Sequence, residues 1–212
     1  VTDGIVRIGD AVKRAAGDGM PAMAVTDLGN LFGLVKFYTG ARGKGVKPIA
    51  GADVWIANPD TPEDAHRLLL LARNRIGYQQ LCELLTKAYL VEGRRDRAEI
   101  RREWFSEIGS DGLIALSGAH LGDVGEALLN GNFDLATERA QAWEAIFPGA
   151  FYLEVQRYGQ PQQEAVVQQT ADLAGETGIP LVATHPIQFL NRDDFQAHEA
   201  RVCIAEGEIL GN

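Results

Sequence analysis

The chain has 212 residues, 46% hydrophobic and 23% charged, which suits one domain with a full core and excludes a disordered polymer. Its net charge of −9 argues against a domain that grips DNA strongly by itself, because phosphate neutralisation calls for a basic face. Two cysteines at unrelated positions, Cys82 and Cys203, form no disulfide framework. Without a signal-peptide pattern or an apolar stretch of roughly 20 residues, the expected setting is the cytoplasm, with no membrane contact.

Apolar periodicity then sets out the elements in order. Residues 8–16 read as a helix stopped at Gly17 and Gly19, and 22–26 as a compact strand. Asp27 follows, a residue type suited to capping the next helix. Leu31, Leu34, Val35 and Tyr38 recur at helical spacing, with Gly43 and Gly45 ending that helix. A strand over 48–56, a polar loop through Asn58, a strand over 67–72 and a helix over 78–89 come next. The only basic cluster, Arg94, Arg95, Arg97, Arg101 and Arg102, is interrupted by acids and reads as a solvated face. Beyond it lie a strand at 113–116, helices near 124–129 and 135–146, a strand at 151–155, a helix at 164–175, a strand at 180–183 and a helix at 193–204.

Short strands alternating with longer helices imply an α/β domain built on a parallel sheet. In such folds chemistry sits just past the C-terminal ends of strands. That directs attention to Asp27, Leu28, Asp53, Ser117 to His120, Glu154 to Arg157 and Thr184 to Gln188; Asp3 and His66 join them by chemistry. The four histidines, His66, His120, His185 and His198, are sparse for a multinuclear metal centre. Turn and surface roles account for His120 and His198. Ser117 lacks a nucleophile elbow, Cys82 reads as core filling, and no phosphate-binding loop occurs.

The segment from Gly19 to Tyr38, with Gly45 to Asp53, closely resembles the amino-terminal PHP (polymerase and histidinol phosphatase) domain of bacterial DNA polymerase III α subunits. Arg67 to Tyr78, Leu116 to Gly118, Gly122 to Gly125, Phe151 to Gly159 and Pro180 to Thr184 continue the likeness in order. The resemblance implies a distorted (βα)7 barrel. Six strands are readable here, so the expectation is a single PHP domain over 1–212, an N-terminally truncated fragment of a larger polymerase chain whose first strand is missing.

The resemblance also implies a partly dismantled metal site. Asp3, Asp53 and His66 stand as residual ligands. Leu28, Ala119, Pro186 and Gln188 stand where the family has metal-binding side chains, and His185 lies one position from a lost aspartate. Leucine, alanine and proline offer a metal no side-chain donor. No resident cofactor is therefore expected, beyond a weakly held Zn²⁺, Mn²⁺ or Mg²⁺. The implied role is non-catalytic: support for the polymerase and docking of its proofreading exonuclease subunit, with the remaining α-subunit domains as further partners. Residual metal-dependent phosphoesterase or 3′–5′ exonuclease activity is the alternative, and a stand-alone histidinol-phosphatase relative a weaker one. Polymerase chemistry would lie beyond Asn212. Asp3, Asp53 and His66 should converge on one face, and a missing first strand should leave the strand of Val25 with an unpaired edge.

Overall fold

A computed structural model describes residues 4–58, 61, 63–91, 97–159 and 163–209. Helix α1 (Ile8–Gly17) buries Ala11, Val12 and Ala15 on one stripe. Strand β1 (Ala22–Leu28) leads to α2 (Leu34–Gly43). That helix starts three residues later than Leu31 because the preceding loop has bonds of its own. The Asn30 side chain bonds the Leu28 carbonyl and the Phe32 N–H, and the Asp27 Oδ2 accepts from the Gly33 N–H at 2.9 Å. Asp27 thus satisfies a donor at the helix entry, as its type suggests.

Strands β2 (Lys47–Ile56) and β3 (His66–Ala72) precede α3 (Arg75–Leu90), whose first turn is capped by Asn74. A two-residue strand β4 (Glu99–Ile100) and a short helix α4 (Trp104–Ile108) have no counterpart in the periodicity reading. They are followed by β5 (Leu113–Leu116), α5 (Asp123–Leu129), α6 (Phe133–Ile146), β6 (Phe151–Gln156), α7 (Gln163–Thr177), β7 (Leu181–Thr184) and α8 (Phe195–Glu206).

The strands pair in the order β1-β2-β3-β5-β6-β7, with β4 added to β2. The sheet is not purely parallel: β3 runs against both β2 and β5. A parallel neighbour needs a crossover, usually a helix, to carry the chain back. The β2–β3 connection has no helix among its described residues, so the chain turns back directly. Among the described residues, strand β1 lies at one edge and pairs only β2, as expected for the strand of Val25. Near the other edge the Ile5 N–H donates to the Gln188 carbonyl at 2.8 Å, so the first described residues lie beside the segment that follows β7.

The curled sheet has two unlike faces. Alternation places Ala52, Val54, Ile56, Leu68, Leu70, Leu113, Ala115, Phe151 and Leu153 on the outer face. All are buried and join side chains of α3 to α7 in the main core. A smaller cluster of Val12, Leu34, Phe37, Ala41 and Val46 seals α1 and α2 onto β1. The inner face carries Thr26, Leu28, Gly51, Asp53, Trp55, Arg67, Leu69, Leu116, Tyr152, Glu154 and Thr184, several of them partly open to water. Among the described residues no helix is long and apolar enough to cross a membrane.

Candidate functional site

Register decides which candidates meet. Leu28 on β1 lies directly beside Asp53 on β2, and the Gly29 N–H donates to the Asp53 carbonyl at 2.7 Å. Asp53 pairs with Leu69 across β3, and Trp55 with Arg67. Antiparallel partners share a face, so Asp53, Trp55, Arg67 and Leu69 all point into the barrel.

Arg67 grips Asp53 through a fork. Its Nε donates to one carboxylate oxygen at 2.8 Å, and its Nη2 bonds the other. The side chains are only 15% and 25% exposed, so water screens this bidentate pair less than a surface pair. The guanidinium also lies 4.7 Å from the Trp55 ring centroid, and Arg97 stacks 4.9 Å from the same ring. Arg97 is itself paired with Glu99, and Arg102 with Asp123. Two arginines of the basic cluster are thereby committed to internal ion pairs; Arg94 and Arg95 lie outside the described residues.

Glu154 is the second inner carboxylate, 2% exposed. Its Oε2 accepts from the Gly118 N–H at 3.1 Å, and its Oε1 from the Thr184 hydroxyl and the Gln156 amide. Burial pushes its carboxyl above the usual range and the charge of Asp53 adds to this, while its hydrogen bonds pull the other way. The Glu154 N–H donates to Ser117 Oγ at 2.9 Å, so Ser117 is a fastening between strands. Gly118 has φ +76° and a Cβ there would lie 2.4 Å from the Arg67 carbonyl. Only glycine allows this turn to pass so close to the start of β3.

The turn continues into Ala119, buried at φ +49°, the one non-glycine in the left-handed region among the described residues. Its methyl group offers no donor. Nearby, the Tyr158 hydroxyl meets His120 Nε2 at 3.2 Å, and burial holds the His120 imidazole below its ordinary value. His185 faces the edge of the Tyr158 ring, 6.5 Å between centroids. His185, Pro186 and Gln188 follow β7 and are exposed.

His66 does not join this group. It pairs with Ile56, one residue out of step with Arg67, and therefore points to the outer, helix-covered face. Its Nε2 lies 3.2 Å from the Asn58 amide and its Nδ1 3.7 Å from Glu126 on α5. It lines a groove of about 680 Å³ with Ile56, Asn58, Glu99, Arg102 and Asp123. The expected convergence of Asp53 and His66 on one face is thus corrected, because neighbours along a strand alternate sides. Asp3 lies outside the described residues. The residues that sequence reasoning missed are Arg67, whose position opposite Asp53 depends on cross-strand register, and the acceptor role of Glu154. Its signal was a lone acid in the apolar run Phe151–Gln156.

A metal centre does not fit these inner residues as they stand. Both Asp53 oxygens are engaged by Arg67, the imidazole of His66 is across the sheet, and among the described residues no three His, Cys, Asp or Glu side chains form a metal-binding group.

Residues 1–158 match the PHP domain model. The chain is 52% identical over 212 residues to the DNA polymerase III α subunit of Neisseria meningitidis serogroup A, covering 99% of this chain and 18% of that protein. It is 44% identical over 210 residues to the same subunit of Pseudomonas aeruginosa, covering 99% and 18%, and 42% over 208 residues to that of Escherichia coli K12, covering 98% and 18%. The chain therefore spans under a fifth of the length of these relatives. Among solved structures, an amidohydrolase from Chromobacterium violaceum shares the fold at a TM-score of 0.57 and 14% identity, covering 94% and 93%. A Bifidobacterium adolescentis protein assigned as a metal-dependent phosphoesterase does so at 0.51 and 10%, covering 94% and 92%. Both are consistent with a distorted barrel. With the family model over most of its length and such identity to polymerase subunits, the chain belongs to the PHP domain family.

Proposed function

We propose that this domain is a non-catalytic part of a replicative DNA polymerase α subunit, supporting the polymerase and docking its proofreading exonuclease subunit. One observation carries the non-catalytic reading: Arg67 holds the inner carboxylate Asp53 by both oxygens. A phosphoesterase of this fold needs such carboxylates free to bind metal and generate a nucleophile from water. Leu28 beside Asp53, and Ala119, Pro186 and Gln188 at the other strand ends, add no anionic or imidazole ligand. The docking role rests on identity to α subunits, and the remaining α-subunit domains are proposed as further neighbours.

Two measurements test this reading. The intact protein is assayed with Mn²⁺ or Zn²⁺ on phosphoesters and single-stranded DNA; no turnover above a chelated control is expected. Chelator-sensitive turnover would instead establish the residual phosphoesterase or exonuclease. Co-purification with the proofreading exonuclease subunit is expected, and its absence would remove the docking role.

A further inference from the structure

The inner carboxylates pose an electrostatic problem. Asp53 on β2 and Glu154 on β6 both face the lumen, and Glu154 is almost fully buried. Gly118, Thr184 and Gln156 donate to Glu154, whereas the largely buried Asp53 calls for a cation. In a metal enzyme a divalent ion meets that need. Here a side chain of the same face does so.

Three features suit Arg67 to this. Its position on β3 fixes its direction into the barrel, opposite Trp55 and next to Asp53. The fork matches both oxygens of the carboxylate, a geometry that lysine does not reproduce. The Trp55 ring then supports the guanidinium from one side, which limits its freedom before the ion pair forms. A guanidinium stays charged throughout the accessible pH range, so the neutralising charge is permanent.

We propose that Arg67 is a fixed, covalently attached substitute for a divalent cation: it neutralises Asp53 and, by occupying it, bars metal from the barrel mouth. This rests on the non-catalytic reading of the site and adds the device that enforces it. The arrangement converts a site whose integrity would depend on metal supply into one that is independent of it.

The test measures Mn²⁺ binding by calorimetry, and thermal midpoints with and without chelator, on the intact protein. Mn²⁺ is the probe because carboxylate oxygens suit a hard cation. Wild type should show a midpoint unmoved by Mn²⁺. R67M keeps the aliphatic stem against Trp55 but removes the charge. It should melt lower in chelator, recover on adding Mn²⁺, and bind the ion at least about tenfold more tightly than wild type, the scale on which groups around a metal ligand act. D53N/R67M should melt above R67M and lose the response. R67K guards against a poorly folded R67M and should show a weaker gain of Mn²⁺ binding, because a point charge leaves one oxygen freer. Unchanged stability of R67M in chelator, or no gain of Mn²⁺ binding in either single variant, would overturn the proposal. So would wild type binding Mn²⁺ as tightly as R67M. Hydrolysis by wild type is a separate outcome: it would defeat the non-catalytic reading, whereas Arg67 is judged by metal binding alone.

Discussion

The helix layer and the inner face of the sheet each carry a carboxylate held by arginine, and they differ in how deeply that carboxylate is buried. On the helix side, Asp123 at the start of α5 is 4% exposed. Arg102 donates to its Oδ2 at 2.7 Å, the Trp143 indole N–H reaches both oxygens near 3.0 Å, and the Val124 N–H donates to Oδ1 at 2.8 Å. Arg139 caps its carbonyl at 2.6 Å, and Arg102 lies 4.1 Å from the Trp143 ring centroid. On the barrel side, the Arg67 fork holds Asp53, and Gly118, Gln156 and Thr184 donate to Glu154. The outer carboxylate is a packing node with its donors built around it. The inner pair is a polar cluster facing the lumen, with Glu154 buried and Asp53 partly open to water. The same residue types hold helices together in one place and stand in for an ion in the other.

If that contrast is right, the outer node should be the more sensitive. Asp123→Ala leaves the fully buried Trp143 N–H without a partner and Arg102 without its counter-charge. A loss of about 3 kcal/mol is expected from deleting a buried carboxylate that accepts from a buried indole, a backbone N–H and a partly exposed arginine. Asp123→Asn, which keeps an acceptor for the indole, should lose roughly half as much. Urea denaturation of both variants checks this, and near-wild-type stability of Asp123→Ala would erase the distinction between the faces.

The helix layer should resist added volume as well. Gly77 lies in the first turn of α3, where a Cβ would sit 1.7 Å from the Gly112 carbonyl oxygen. That neighbour is backbone, held in place by the Gln80 side chain, which accepts from the Gly112 N–H. Alanine ordinarily favours a helix interior over glycine by up to about 1 kcal/mol. Here the steric term wins, because α3 must lift from the loop before β5, and Gly77→Ala should destabilise by about 2 kcal/mol. A variant as stable as wild type would mean that the two segments separate freely.

Much of this outer layer was legible in the sequence. Leu113–Leu116 is an unbroken apolar run, and α3 and α6 repeat apolar residues at helical spacing, because burial on one face imposes that pattern directly. The direction of β3 was not, since periodicity is blind to polarity. The clue was the absence of a helical pattern between Ile56 and His66, which makes a crossover difficult. Strand β4 has two residues, too few to show any period. The placement of the candidates was legible in part. Leu28 closes β1 and Ala119 follows β5, whereas Asp53 lies inside β2 and reaches the same level through its register with Leu28. Arg67 does not announce itself, because its partnership with Asp53 spans fourteen residues and depends on register. A one-residue shift in the reading of a strand exchanges His66 for Arg67 and the helix layer for the barrel.

The smallest expected effect lies on the inner face and shows itself through pH. Glu154 holds its proton more tightly in the folded protein than in the unfolded chain, because burial, helped by Asp53, outweighs its hydrogen bonds from Thr184, Gln156 and Gly118. Between the ordinary glutamate value, about 4.5, and the raised value, the native state therefore binds more protons than the unfolded state. By linkage, stability from this group is present below that window and is lost as pH rises through it. Glu154→Gln has no proton to release, so its stability should decline less over the same window. The difference between the two proteins cancels other titrating groups. Asp53→Asn should move in the same direction more weakly, since it removes only the smaller, Coulombic contribution. Urea titrations at several pH values measure all three. Parallel curves for wild type and Glu154→Gln would show that Glu154 is well solvated in the folded protein, and the inner face would then be no place where charge needs a fixed counter-ion.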